Sequence, residues 1–187
     1  GDQMSLLRVY EACVDMLQRE YNIGPSEETV QLFDDLRRTS PIHNLPPETG
    51  SLIGRQRELA RIAELLRSDG VRLITLTGMG GIGKSRLALS VGHQHIDDRY
   101  RDGVFYLSVY ESDTVDDIIN QLADILGISL IRSYDAITQV INHIHSSKIL
   151  LIVDNFEYLL SERNLIRRLL SDTSSLHLLI TSRQPLE

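Results

Sequence analysis

The densest chemistry in the chain lies in one short run, Gly78, Met79, Gly80, Gly81, Ile82, Gly83, Lys84, Ser85 and Arg86. Gly78, Gly83, Lys84 and Ser85 follow the spacing G-x-x-x-x-G-K-[ST]. A loop that wraps a phosphate with its own backbone N–H groups must keep side chains away, and glycine allows both the close approach and the unusual dihedrals. A helix opening at Lys84 would aim its free N–H groups at the same phosphates. Lys84 adds a full positive charge, and Ser85 offers a hydroxyl to Mg²⁺. The string 78–83 also fits the G-x-G-x-x-G of a dinucleotide loop. Lys84 and Ser85 directly after it favour a triphosphate with a metal.

Two further clusters carry charge at strand ends. The apolar run "ILLIV" closes on Asp154, where a carboxylate can fix Mg²⁺ through water. The next residue is Asn155, which cannot take a proton from an attacking water. Glu157 is the available base, or equally an acid in the first turn of a helix. "LLITSRQPL" places Arg183 after a strand expected beside the phosphate loop, where a guanidinium can sense a γ-phosphate. Thr181 and Ser182 are expected to hydrogen-bond near it.

These groups need a scaffold, and the hydrophobic periodicity supplies one. Strands are expected at 72–77, 104–109, 149–154 and 176–181, with helices at 55–67, 84–96, 115–126, 134–145 and 157–170. The strand segments are continuous apolar runs rather than alternating ones, as in a parallel sheet covered on both faces. The expected fold is therefore α/β, a doubly wound parallel sheet. Ahead of it, apolar residues at helical spacing (Leu6, Leu7, Tyr10, Val14, Leu17, Tyr21) predict a helix over 5–21. A second helix follows from an N-cap at Ser26, with Glu27 and Glu28 in its first turn and Arg37 and Arg38 in its last. The segment "TSPIHNLPPETGS", stiffened by Pro41, Pro46 and Pro47, reads as a linker. The expected organisation is a helical hairpin over 1–38, a linker over 39–51, and a nucleotide-binding domain over 52–187. The alternation stops after the fourth strand, so we expect the sheet to be cut there and to continue in a longer protein. Gly1, in place of Met, reads as a cloning remnant.

Bulk composition bounds the alternatives. The 187 residues carry a net charge of -7 and are 42% hydrophobic, enough for a packed core. The acidic balance argues against broad nucleic-acid binding by these residues, which would need a cationic face. A single cysteine, Cys13, rules out an internal disulfide; it reads as a small core residue in a reducing cytoplasm. No apolar run approaches the ~20 residues of a membrane span. His93/His95 and His143/His145 are spaced i, i+2 and point apart on a helix, as surface or helix-end residues.

With these motifs placed, nearly the whole chain resembles the STAND class of signalling P-loop NTPases, the branch that includes NB-ARC domains and large bacterial transcriptional regulators. "SLIGRQRELARIAELL" is similar to that class's leading motif, which implies that Ile53, Gly54 and Arg55 lie over adenine and ribose. "VRLITLTGMGGIGKSRLAL" resembles its Walker A segment. "LLIVDNFEYLL" resembles its Walker B, with Asp-Asn in place of Asp-Asp, and "LLITSRQPL" its sensor strand. The hairpin "LQREYNIGPSEETVQLFDDLRR" resembles the end of the bacterial transcriptional activation domain of SARP-type regulators. The resemblance implies an ATP- or ADP-binding, Mg²⁺-dependent switch with slow hydrolysis, closed with ADP and self-oligomerising with ATP. Its partners would be other domains of a parent chain, and DNA only through a domain outside these residues, with no membrane contact. Two alternatives stand beside it. One is an active ATPase machine of helicase or remodelling type with Glu157 as base; the other is a degenerate P-loop scaffold that only binds partners.

Overall fold

In a computed structural model, the described residues are 2–39, 42–48, 50, 52–96 and 99–185. The side chains of Leu6, Leu7, Arg37 and Arg38 lie outside the described residues, as do Pro41 and both chain ends. The hairpin comprises α1 (Asp2–Tyr21) and α2 (Glu27–Thr39). The body follows as α3 (Gln56–Arg67), β1 (Leu73–Thr77), α4 (Lys84–Gln94), β2 (Gly103–Ser108), α5 (Val115–Leu126), α6 (Ala136–Ile144), β3 (Ile149–Asp154), a 3-10 helix (Phe156–Glu162), α7 (Arg163–Ser171) and β4 (His177–Ser182). The four strands pair in parallel in the order β1-β4-β3-β2.

Period-two alternation along these strands fills two cores. Phe105, Leu107, Ile149, Leu151, Val153, Leu178 and Ile180 face one way, against α5, α6 and α7. Ile74, Val104, Leu150, Ile152 and Leu179 face the other, against α3 and α4. Every residue of β3 is buried, which is why the strand reads as one apolar run. Burial on both faces also explains why the polar ends of the strands, where the sheet meets its loops, carry the chemistry.

Local signals set most element boundaries. Ser26 Oγ accepts the Thr29 N–H at 3.2 Å before α2. Thr114 and Asp117 form a reciprocal capping box at the start of α5, and Gly127 ends that helix in the left-handed region. Asp135 caps α6 by accepting the Thr138 N–H, so that helix begins at Ala136, later than the 134 expected. Across the hairpin, Tyr10 and Phe33 stack with ring centroids 3.8 Å apart.

Three expectations are corrected. The single helix expected over 157–170 is two pieces, a 3-10 helix that runs to Glu162 and α7 from Arg163, and the first piece is kinked at Leu159 (φ -115, ψ 18). Phe156 and Leu159 are the buried pair of the first piece, at the i, i+3 spacing that a 3-10 turn brings onto one line. α7 then buries Leu165, Ile166 and Leu169 at helical spacing. Second, Cys13 is only half-buried. Third, the segment after α2 is more than a spacer. Val104 N–H donates to the Ile42 carbonyl at 3.0 Å, and His43 forms a parallel bridge with Val104, so this segment runs along the outer edge of β2. Ile42 and Leu45 are buried, one in each core.

Candidate functional site

The loop between β1 and α4 lies at the carboxyl ends of the strands. Gly81 and Gly83 take φ +77 and +93, the left-handed region in which a side chain is strained. Gly83 is also the residue on which α4 starts. The Lys84 ammonium lies across the loop and donates to the carbonyls of Gly78 at 2.7 Å and Met79 at 2.9 Å. The first turn of α4 contains no acidic residue, so nothing there opposes an anion.

β3 lies one strand away from β1, across β4, and Asp154 at its end reaches the loop through Ser85. Asp154 is 4% exposed. Its Oδ1 accepts the Ser85 hydroxyl at 2.8 Å and the Thr181 hydroxyl, and its Oδ2 accepts the Tyr106 hydroxyl at 2.8 Å. All three donors are neutral, and no ion pair to Asp154 is found among the described residues. A buried carboxylate held only by neutral donors is a site suited to a cation. Ser85 spends its one hydrogen on Asp154, which turns its oxygen lone pairs away from that carboxylate and leaves them for a metal. No cluster of three His, Cys, Asp or Glu suited to a metal occurs among the described residues. Mg²⁺ takes few protein ligands and relies on waters and substrate phosphates. Burial, with help from Asp154, pushes the Tyr106 hydroxyl up to about 12, so it remains a donor.

Asn155 follows at φ 59, a conformation that asparagine tolerates, and turns the chain sharply off β3. Its N–H donates to Thr181 Oγ1 at 3.1 Å. Thr181 thus serves Asp154 and the turn. Ser182 Oγ likewise accepts the Gln184 N–H, at 3.1 Å. Arg183 itself forms an ion pair with Glu157, Nε to Oε1 at 2.9 Å, and its backbone N–H donates to the same carboxylate at 3.1 Å. The guanidinium also lies over the loop: a Cβ on Gly80 would sit 3.8 Å from Arg183 Nε. Two residues expected in separate roles therefore hold each other.

A family model described as AAA domain matches residues 67–186. The chain belongs to the AAA domain family. An uncharacterized protein of Mycobacterium tuberculosis is 30% identical over 175 residues, 86% of this chain and 44% of that protein. The Arabidopsis thaliana disease resistance protein RPS5 is 30% identical over 100 residues, 51% of this chain and 11% of that one. A putative HTH-type transcriptional regulator of Mycobacterium bovis is 28% identical over 116 residues, 62% of this chain and 13% of the regulator. The chain thus spans under half the length of the mycobacterial protein that it matches along most of its own residues.

The AAA domain model begins at residue 67, at the end of α3, so the residues expected over adenine and ribose lie outside the match. Of these, Ile53 is 87% exposed and Gly54 has φ +78. Arg55 precedes α3; it pairs with Glu58 at 2.7 Å and donates to the Ile82 carbonyl of the loop at 3.0 Å, tying this segment to the phosphate-binding turn. That pairing holds the Glu58 carboxyl below the usual carboxylate range. Arg86 donates to the Gly50 carbonyl at 3.4 Å. His95 is buried and closes α4 on the Val91 carbonyl, so it is a helix-end residue but not a surface one. No described helix is long and apolar enough to cross a membrane.

Sequence reasoning missed Tyr106 and Asn44. Tyr106 stands at period-two spacing between Val104 and Ser108, a polar tip near the carboxyl end of an otherwise apolar strand, and that was the available signal. Asn44 gave no signal in a segment without periodicity.

Proposed function

We propose that this AAA domain is an ATP- and ADP-binding switch module with slow hydrolysis, part of a signal-transducing transcriptional regulator. One observation carries the nucleotide reading: Asp154 is buried beside the glycine loop, held by three neutral hydroxyls, with Ser85 among them. Gly78, Met79, Gly80, Gly81, Ile82 and Gly83 supply backbone N–H groups to the phosphates, and Lys84 moves from the Gly78 and Met79 carbonyls onto them. Ser85 and Asp154 hold Mg²⁺, which when bound neutralises charge on the phosphates. Ile53, Gly54 and Arg55 flank the base and ribose. Arg183 contacts the γ-phosphate and so distinguishes ATP from ADP, because only a differential contact can shift a switch between states.

The Arg183–Glu157 pair supports a switch over a fast ATPase machine. A glutamate committed to a guanidinium at 2.9 Å is a poor acceptor for the proton of an attacking water. The retained Lys84, Ser85 and Asp154 arrangement speaks against a degenerate scaffold. The regulator role is supported by the likeness to a putative HTH-type regulator. In that role the remaining partners are other domains of a longer cytoplasmic chain, a second copy when ATP is bound, and DNA through a separate domain.

The test is calorimetric titration of ATP, ADP and GTP into the full chain, with Mg²⁺ and with EDTA. Binding of adenine nucleotides that Mg²⁺ strengthens and Lys84→Ala weakens is the expected result. Affinity unaffected by Lys84→Ala would end the reading. An ATP-to-ADP affinity ratio unchanged in Arg183→Ala would remove Arg183 from its role.

A further inference from the structure

Asp154 is oriented from two directions, and the second leads out of the site. Its Oδ1 is held by Ser85 and Thr181, both at the phosphate-loop side of the sheet. Its Oδ2 has one donor among the described residues, the Tyr106 hydroxyl on β2. A carboxylate pivots easily about its last torsion, which is broad and roughly two-fold. Tyr106 is the contact that stops Asp154 from pivoting about its pinned oxygen.

Tyr106 is held in turn by an unusual clamp. β2 is the outer strand of the sheet on this side. The Asn44 side chain takes the place of a neighbouring backbone: its Oδ1 accepts the Tyr106 N–H at 2.6 Å, and its Nδ2 donates to the Tyr106 carbonyl at 2.8 Å. Both main-chain groups of one residue are thereby satisfied by one carboxamide. Asn44 belongs to the segment that pairs with β2 at Ile42 and His43 and follows the hairpin in sequence. A continuous set of contacts therefore runs from that segment through Asn44 and Tyr106 to Asp154 and Ser85.

We propose that Tyr106 is a positioning residue for the magnesium-binding carboxylate, and that Asn44 couples docking of residues 42–45 on β2 to the metal–nucleotide site. The inference rests on the nucleotide reading above. The two-state element is the 42–45 segment, docked on the edge of β2 or released from it. If docking holds Asp154 in the metal-binding orientation, metal–nucleotide must strengthen docking by the same factor. The hairpin, attached to that segment, thereby senses the nucleotide.

Tyr106→Phe keeps the ring and removes only the hydroxyl. In the full chain, the ATP dissociation constant is measured with Mg²⁺ and with EDTA, and the ratio of the two reports the metal contribution. Loss of a partner that orients a ligating carboxylate costs about tenfold or more in metal affinity. Tyr106→Phe should therefore cut that ratio about tenfold while leaving the EDTA value within about twofold of the original. Asn44→Ala should cut it less. Amide hydrogen exchange gives the second readout: Mg²⁺-ATP should slow exchange at Val104 and Tyr106 in the original chain and less so in Tyr106→Phe. If Tyr106→Phe keeps the full ratio while Asp154→Asn loses it, the coupling idea fails and the nucleotide reading stands. The coupling idea fails in the same way if Mg²⁺-ATP binds but leaves exchange at Val104 unchanged. If the original chain shows no magnesium-dependent ATP binding, both fail together.

Discussion

The two ends of this sheet use buried polar groups in opposite ways. At the carboxyl ends of the strands, Asp154 is buried against three neutral hydroxyls, and its charge has no ion-pair partner among the described residues. At the amino ends, Arg72 is fully committed: it donates to the Leu170 and Thr173 carbonyls, each at 2.6 Å, across the exit of α7. A cation there satisfies carbonyls that the helix leaves unpaired and suits the negative end of its dipole. Nearby, buried Tyr100 packs edge-on against His177 with ring centroids 5.4 Å apart. Its hydroxyl, pushed up to about 12 by burial, has no hydrogen-bond partner among the described residues. One end closes the fold with its charges; the other holds a charge ready for a ligand. Burial alone therefore does not mark a site, whereas a deeply buried charge held by neutral donors beside a glycine loop does.

Substitutions at the two ends put this difference at risk. Lys84→Ala should have the largest effect, a loss of about ten- to a hundredfold in nucleotide affinity with little change in melting temperature, since a charged hydrogen bond contributes about 1.5–3 kcal/mol. Arg72→Met should do the reverse, costing about 2–3 kcal/mol of stability by leaving two carbonyls unpaired, while nucleotide affinity holds. Chemical denaturation beside calorimetry separates the two, and an Arg72 variant that lost nucleotide binding but kept its stability would collapse the distinction.

A smaller effect is expected at Asp154. Asp154→Asn removes the uncompensated charge, and an amide can still accept from Ser85 and Thr181. The ligand-free protein should therefore gain up to about 1 kcal/mol, or lose nothing, as the magnesium contribution to binding disappears. A clear loss of ligand-free stability would show that the charge serves the fold. The smallest effect concerns His177. Burial holds its imidazole below the ordinary value of 6.5. The folded state thus resists protonation that the unfolded state accepts, so stability should decline as the pH falls below about 6.5 and level off beneath the folded value. His177→Gln should flatten that decline in melts between pH 7.5 and 5.

Much of this was legible in the chain. The glycine spacing before Lys84 and Ser85 needs only local backbone physics, and it appeared in the expected turn between a strand and a helix. Asp154 was legible because a fully buried strand reads as an apolar run that stops at its first charge. The change from 3-10 to α-helix at Arg163 was not, because a 3-10 turn and an α-helix share the i, i+3 spacing over one turn. Arg183 and Glu157 were each found but given separate roles, since only the approach of β4 to the 3-10 helix joins them.

What the sequence by itself determined was local and periodic: two-sided burial of parallel strands, a glycine turn able to hold phosphate, a charge at a strand's end. What only the tertiary structure decided was pairwise and non-local. Asn44 meets Tyr106, and Tyr106 meets Asp154, across separations of 62 and 48 residues. No periodicity encodes such contacts. A hydroxyl or carboxamide finds its partner only after burial has removed water as the alternative, and which partner it finds depends on the order in which the strands lie side by side.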